Sequence, residues 1–475
     1  MKIIFPKDFW WGSAMSGPQV EGGFFEDGKS ATIWDEYFRT NRSRFFNSTN
    51  VKNDFYNNYK EDIKLAKQAG FNSLRTSIQW TRLIPDGKNV NQKGVEFYNK
   101  VIDEMIKNDI EPFITLFHFD MPLWAQKKGG WESREVIEAF SFYAKTAFNL
   151  FGDRVKKWFT FNEPNAFIAA GYMMDYFPPN KVSWKDANKA VWGTLVAHFK
   201  AVKQFRNLNI DGAKIGVVLN IMNAIPRSNN SDDVDAAKIF DETYWRCFAE
   251  PMINNKKPEN WIKFISKYKQ WDNKWIQKED LNLLKNYKID LLGVNYYQPH
   301  RVKTNNNLVN LKSPSLLPKD FFETYHMPGK RMNYSRGWEI YPKGIYDFLK
   351  LIKNEFRNID SYISENGLGI SGEDKFKNTK GVIQDKYRID FITEHLYWTH
   401  KALNEGVNIK GYHTWAYIDN WSWPNAYKNR YGIYELDLTT GKRKPKLSLD
   451  WTKKLIKDKG FEIDIKDIID EPLEQ

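Results

Sequence analysis

Short apolar runs alternate along this chain with longer stretches in which apolar residues recur every third or fourth position. Val95, Tyr98, Val101, Ile102, Met105 and Ile106 share one face at helical spacing, and so do Val136, Ile137, Phe140, Tyr143, Ala147 and Phe148. Gly152 closes the second stripe, and Gly70 is placed to end a helix-like stretch over 55–69. The short runs read as strands: 10–14, 71–75, 112–117, 158–161, 214–219, 290–294, 361–364 and 410–415. Eight strand candidates separated by helices predict an α/β fold of the (β/α)8 type, a closed parallel TIM barrel rather than an open sheet. No linker or shift in composition divides the chain, so one domain is expected over 1–475. The longest irregular stretch, about 302–336, is rich in Asn, Lys, Pro and Ser and predicts a loop over the mouth of the barrel.

Two of the strand-like runs end in glutamate motifs. Lys157-Trp158-Phe159-Thr160-Phe161 leads into Asn162-Glu163-Pro164, and Ser361-Tyr362-Ile363-Ser364 leads into Glu365-Asn366-Gly367. Either motif alone reads as a turn after a strand. Together they deliver two carboxylates to the C-terminal ends of strands, where parallel barrels carry their chemistry. Cleavage of a glycosidic bond needs such a pair: one carboxyl protonates the leaving oxygen and the other attacks the anomeric carbon.

Composition narrows the field. Aromatic residues make up 16% of 475 residues, with 19 Trp, enough for a large core and for flat rings that stack on sugars. Net charge is +12, but the lysines are spread along the chain and no basic block is interleaved with aromatics, which argues against nucleic acid. Cys247 is the sole cysteine, so no intrachain disulfide forms. The first nine residues carry no apolar leader core and no run approaches a membrane span. An Asn420-Trp421-Ser422 sequon falls within the expected site, where a glycan would block it. A cytoplasmic protein is expected. The seven histidines show no metal-ligand spacing and no phosphate loop or dinucleotide fingerprint occurs, so the reading calls for neither metal nor cofactor. The expected partner is a small molecule. No pattern speaks to oligomeric state.

Over nearly its full length the chain resembles glycoside hydrolase family 1, the retaining β-glycosidases on a (β/α)8 barrel. The acid/base motif resembles Asn162-Glu163-Pro164 and the nucleophile motif Glu365-Asn366-Gly367. The N-terminal signature is similar to Phe9 through Gly22, with Gln19 in place and Pro18 departing from the usual residue. Phe117-His118-Phe119-Asp120 and Asn295-Tyr296-Tyr297 resemble two further strand ends. The resemblance implies that Glu163 is the acid/base and Glu365 the nucleophile, supported by Arg75 and Tyr297. It implies that Gln19, His118, Asn162 and Asn295 bind sugar, with Trp415 beneath the ring and Trp338 on the aglycone side.

The loop after the last strand bears on the substrate. Family members acting on plain glucosides carry a glutamate where this chain has Ser422. Those acting on 6-phospho-β-glycosides carry Ser there, Lys seven residues on and Tyr nine residues on. Here these positions are Ser422, Asn429 and Tyr431, with Lys428 beside the replaced lysine. A hydroxyl in place of a carboxylate removes repulsion against a phosphate and adds a donor. The resemblance implies a 6-phospho-β-glucosidase whose phosphate is held by Ser422, Tyr431 and Asn429 or Lys428. Trp423 also occurs in enzymes for 6-phospho-β-galactosides, so that alternative, and an unphosphorylated glucoside, stay open.

Overall fold

A computed structural model describes residues 1–40, 51–221 and 223–464. Eight parallel strands close into a barrel in chain order: β1 Trp10–Ala14, β2 Ser73–Ser77, β3 Glu111–Phe117, β4 Lys157–Asn162, β5 Lys214–Leu219, β6 Leu291–Asn295, β7 Ser361–Asn366 and β8 Ile409–Thr414. The closing pair sets Trp10 opposite Gly411 and Ser13 opposite Thr414. All eight predicted runs are strands. The second begins at Ser73, two residues later than its apolar start, because Phe71 packs outside the barrel and Asn72 hydrogen-bonds the backbone of β1.

Inward-facing residues fill the lower barrel. Phe113, Phe159, Val218, Leu291 and Tyr362 form a closed cluster with Trp10 against it. His413 lies above them, 5.0 Å from the Tyr362 ring, and its Nε2 is 2.9 Å from Ser73 Oγ. Burial, together with the Arg75 charge, holds this imidazole well below its ordinary pKa, so it is a neutral packing group. The interior is a filled core, and open space begins only at the strand ends.

Long helices wrap the strands: Phe55–Gln68, Gln92–Lys107, Arg134–Phe151, Trp184–Leu208, Lys343–Glu355 and Lys386–Asn404. The two predicted stripes face inward except for Ile106, which is exposed at the end of its helix. Gly193 on the fourth of these is required by packing, since a Cβ there would lie 1.7 Å from the Trp131 carbonyl oxygen. Among the described residues no helix is long and apolar enough to cross a membrane.

The stretch 302–336 departs from the expected structureless loop. His300–Thr304 pairs in parallel with Ala224–Pro226 and antiparallel with Phe322–Thr324, making a small sheet packed on the helix Ser231–Asp241. Of this stretch only Arg336, at its end, reaches the mouth of the barrel.

Candidate active site

The ends of most barrel strands deliver polar side chains to a single cavity of about 370 Å³. Gln19, His118, Asn162, Glu163, Tyr297, Trp338, Glu365, Trp415, Ser422, Trp423 and Tyr431, all singled out in the sequence, line it.

Glu163 follows β4 directly and has φ 45°, a left-handed conformation that only a strongly determined site imposes on a glutamate. Its backbone N–H donates to Val218 O on β5 (2.8 Å), and Pro164 starts the next short helix. The strand therefore stops at Asn162, and the carboxyl turns into the cavity. Glu365 stays within β7, and its register with β6 shifts between Ile363 and Glu365. The two strand ends thus reach the cavity by different backbone devices.

The hydrogen bonds around the carboxyls are unequal. Glu365 forms a buried ion pair with Arg75, and its other oxygen accepts from Tyr297 Oη at 2.7 Å. Arg75 Nη1 also donates to Asn162 Oδ1 (2.9 Å), so one guanidinium fixes both Glu365 and the residue preceding Glu163. Among the described residues no cation pairs directly with Glu163. Asn295 Nδ2 donates to its Oε1 at 2.7 Å, and Asn220 Nδ2 lies 3.3 Å away.

These surroundings separate the two groups. Burial, and then the charge of Glu365, push the Glu163 carboxyl up to about 7. Burial also raises Glu365, but Arg75 and the Tyr297 hydroxyl pull it back toward the ionised form. One carboxyl is thus built to hold a proton near neutrality and its partner to shed one.

Several sugar-side residues are locked before any ligand arrives. Gln19 Nε2 donates to Trp421 O (2.8 Å) and its Oε1 accepts from Ser16 Oγ (2.7 Å). Asn162 Oδ1 accepts from Arg75 and from Asn295 Nδ2 (3.2 Å), which fixes the amide and turns its nitrogen toward His118, 3.3 Å from Nε2. His118 is buried and lies well below its ordinary pKa, first through desolvation and then through the Arg75 charge, so it stays neutral. Trp415 stacks on His118 (6.0 Å, 21°), and Trp423 stacks on Trp34 (4.3 Å, 28°).

Three predicted contacts fall elsewhere. Asn295 is fully buried beneath the cavity and positions Glu163 and Asn162 rather than lining the wall. Lys428 is exposed to solvent, carried outward by the turn that follows Asn425. Asn429 is fully buried, its backbone paired with Ser371, and it does not reach the cavity. Of the four residues assigned to a phosphate, Ser422 and Tyr431 alone stand in the cavity wall.

The loop that carries them is anchored from below. Ser422 and Ala426 exchange backbone hydrogen bonds of 2.8 and 2.9 Å around a turn that projects Trp423 and Pro424. Buried Asp419 accepts from Gly432 N (2.8 Å) and Lys446 Nζ (2.9 Å), and buried Arg388 donates to the Tyr431 carbonyl (3.0 Å). Gly369 leaves room for the Tyr431 ring, since a Cβ there would come within 2.3 Å of it.

Sequence reading missed Asn220, Tyr176, Tyr244, Gln298 and Arg336, which also line the cavity. Asn220 had a usable signal as the polar residue directly after β5. Gln298 directly follows Tyr297, Tyr244 lies on the helical turn Glu242–Arg246, and Tyr176 and Arg336 come from connections whose course no periodicity reveals.

A parallel barrel whose strand ends hold two unlike glutamates above an ion-paired floor is an O-glycosyl hydrolase. The chain belongs to glycosyl hydrolase family 1, whose model matches residues 1–461. It is 48% identical to the 6-phospho-beta-glucosidase GmuD of Bacillus subtilis over 461 residues, covering 96% of this chain and 98% of that one. It is 40% identical to a 6-phospho-beta-galactosidase of Clostridium acetobutylicum, covering 98% and 99%. Among solved structures, the family 1 β-glucosidase of Thermotoga maritima superposes with a TM-score of 0.88 at 34% identity, over 97% of this chain and all of that one.

Proposed function

We propose that this protein is a retaining 6-phospho-β-glucosidase. The observation that carries the reading is the wall of the cavity. The Ser422 and Tyr431 side chains face the space that holds Glu163 and Glu365, and among the described residues no third carboxylate lines it. A carboxylate at position 422 would repel a phosphate on O6, and a hydroxyl accommodates it. The relatives named for phosphorylated glycosides support the same substrate class. The higher identity to the gluco-named relative favours glucose over galactose.

In this reading the sugar ring rests on Trp415, and Glu365, held ionised by Arg75 and Tyr297, attacks the anomeric carbon. Glu163 gives its proton to the departing glycosidic oxygen. It then removes one from the water that opens the glycosyl-enzyme, and configuration is retained. Asn295 positions Glu163, and the Asn162 amide nitrogen is placed for the sugar 2-OH. A 6-phosphoglycoside is charged and does not cross a bilayer unaided, so a substrate phosphorylated during uptake stays inside, which favours a cytoplasmic reaction. Paired kinetics on p-nitrophenyl β-glucoside and its 6-phosphate test the substrate. The phosphorylated compound should be preferred by about 100-fold or more in kcat/KM, as two or more charge-assisted hydrogen bonds allow. Equal efficiency would overturn the specificity and leave the glycosidase assignment in place.

A further inference from the structure

A phosphate monoester brings a charge of about −1.5 to −2 at neutral pH into a cavity that already holds the Glu365 carboxylate. Two hydroxyls do not balance that. Lys428 points to solvent and Asn429 is neutral and buried away from the cavity, so the cation has to come from another element. Three charged side chains line the cavity among the described residues: Glu163, Glu365 and Arg336.

Arg336 is built in as a ligand-binding group. Its guanidinium lies over the Trp338 ring, with Cζ 4.1 Å from the centroid. Stacking of this kind holds the plane and leaves the in-plane N–H groups available to an anion. The Arg336 charge lies close enough to the Tyr431 hydroxyl to favour the ionised phenol against the larger effect of burial, and the buried Nε–H meets no acceptor among the described residues. The backbone beneath it is fixed to the element that presents Tyr431. Asn333 Nδ2 donates to Gly369 O (3.1 Å), and Ser371 N donates to Ser335 Oγ (3.0 Å). Ile370–Ser371 in turn pairs antiparallel with Asn429–Arg430, the two residues before Tyr431. Gly337, with φ 71°, makes the turn that lets Arg336 and Trp338 fold face to face.

We infer that Arg336 is the cationic specificity residue of this site, binding the substrate's 6-phosphate together with Tyr431 and Ser422 in place of the absent lysine at position 429. The inference rests on the 6-phospho reading above. The planar fork of Arg336 donates to two phosphate oxygens while Tyr431 donates to a third, and Trp338 beneath the fork keeps it from turning to bulk water.

Arg336→Gln and Arg336→Lys, assayed on p-nitrophenyl β-glucoside and its 6-phosphate, test this. The glutamine variant should lose about 10- to 100-fold in kcat/KM on the phosphorylated substrate and at least about 10-fold less than that on the plain one. The lysine variant should recover part of the loss. Inorganic phosphate should inhibit plain-glucoside cleavage by the wild type, and that inhibition should weaken in Arg336→Gln by a similar factor. Equal losses on both substrates would make Arg336 only a support for Trp338 and overturn the inference. So would a wild type that prefers the 6-phosphate alongside an Arg336→Gln enzyme with the same preference. A wild type with no preference at all would bring down the 6-phospho reading and this inference with it.

Discussion

Replacing Glu163 with glutamine isolates the electrostatics of the proposed acid. Burial and the neighbouring Glu365 charge raise this carboxyl from 4.5 to about 7. A rise of that size corresponds to about 3 kcal/mol between the protonation states. An unfolded chain sheds the proton near the ordinary value, whereas the folded chain keeps it until about pH 7. The folded state therefore binds more protons across that interval. The contribution of this carboxyl to stability is complete below about pH 4.5, declines as pH rises and is gone above about pH 7. The glutamine variant has no proton to lose. Its stability relative to wild type should climb by about 3 kcal/mol between about pH 4.5 and pH 8, with Glu365 sharing in the titration. Urea unfolding followed by tryptophan fluorescence at closely spaced pH values reads the difference directly. A difference that stays flat over the interval would refute the claim that desolvation holds the proton. Wild type should show an alkaline fall in kcat/KM near pH 7 on substrates with poor leaving groups, where a proton must be given, and the variant should not.

Three other changes follow from the geometry. Glu365→Gln should be inactive on every leaving group, while Glu163→Gln should retain dinitrophenyl glycosides and be rescued by azide; identical behaviour of the two would invalidate the division of roles. Ser422→Glu places a carboxylate against the substrate phosphate, and at about 5 Å each unit charge costs about 3 kcal/mol. The preference for 6-phosphoglucosides over glucosides should therefore fall by at least about 100-fold, and an unchanged ratio would show that position 422 does not face the phosphate. Gly193→Ala should destabilise the fold by about 1–3 kcal/mol, measured as a lower urea midpoint at unchanged slope, because the new Cβ meets the Trp131 carbonyl.

The barrel was legible because each of its strands, and several of its helices, announces itself locally. The stripe from Val95 to Ile106 and the run Pro112–Phe117 need no knowledge of the rest of the chain. The residues lining the cavity were legible where a strand ends on a polar side chain, as at Glu163, Glu365 and Tyr297. What escaped depends on pairings between distant segments. His300–Thr304 is a strand only because Ala224–Pro226 and Phe322–Thr324 lie beside it. Neighbourhood in sequence also misled: Lys428 and Asn429 sit beside Tyr431 in the chain, yet one faces solvent and the other is buried behind strand pairing. Arg336 is 95 residues away in the chain and shares its cavity with Tyr431.

The seam where β8 meets β1 has a bearing on how the protein becomes active. Ser13 Oγ donates to Thr414 O across 401 positions, and Gln19 is oriented by Trp421 across 402. Helices such as Gln92–Lys107 form from local contacts and assemble early, whereas a join spanning almost the whole polypeptide bears the largest loop-closure entropy and comes late. Until it forms, Gln19 has no fixed direction, and the wall carrying Trp415, Ser422 and Tyr431 is not docked against the half that carries Glu163. Catalytic turnover during refolding is therefore a clock for the last long-range join, and it should lag behind the return of helical circular dichroism.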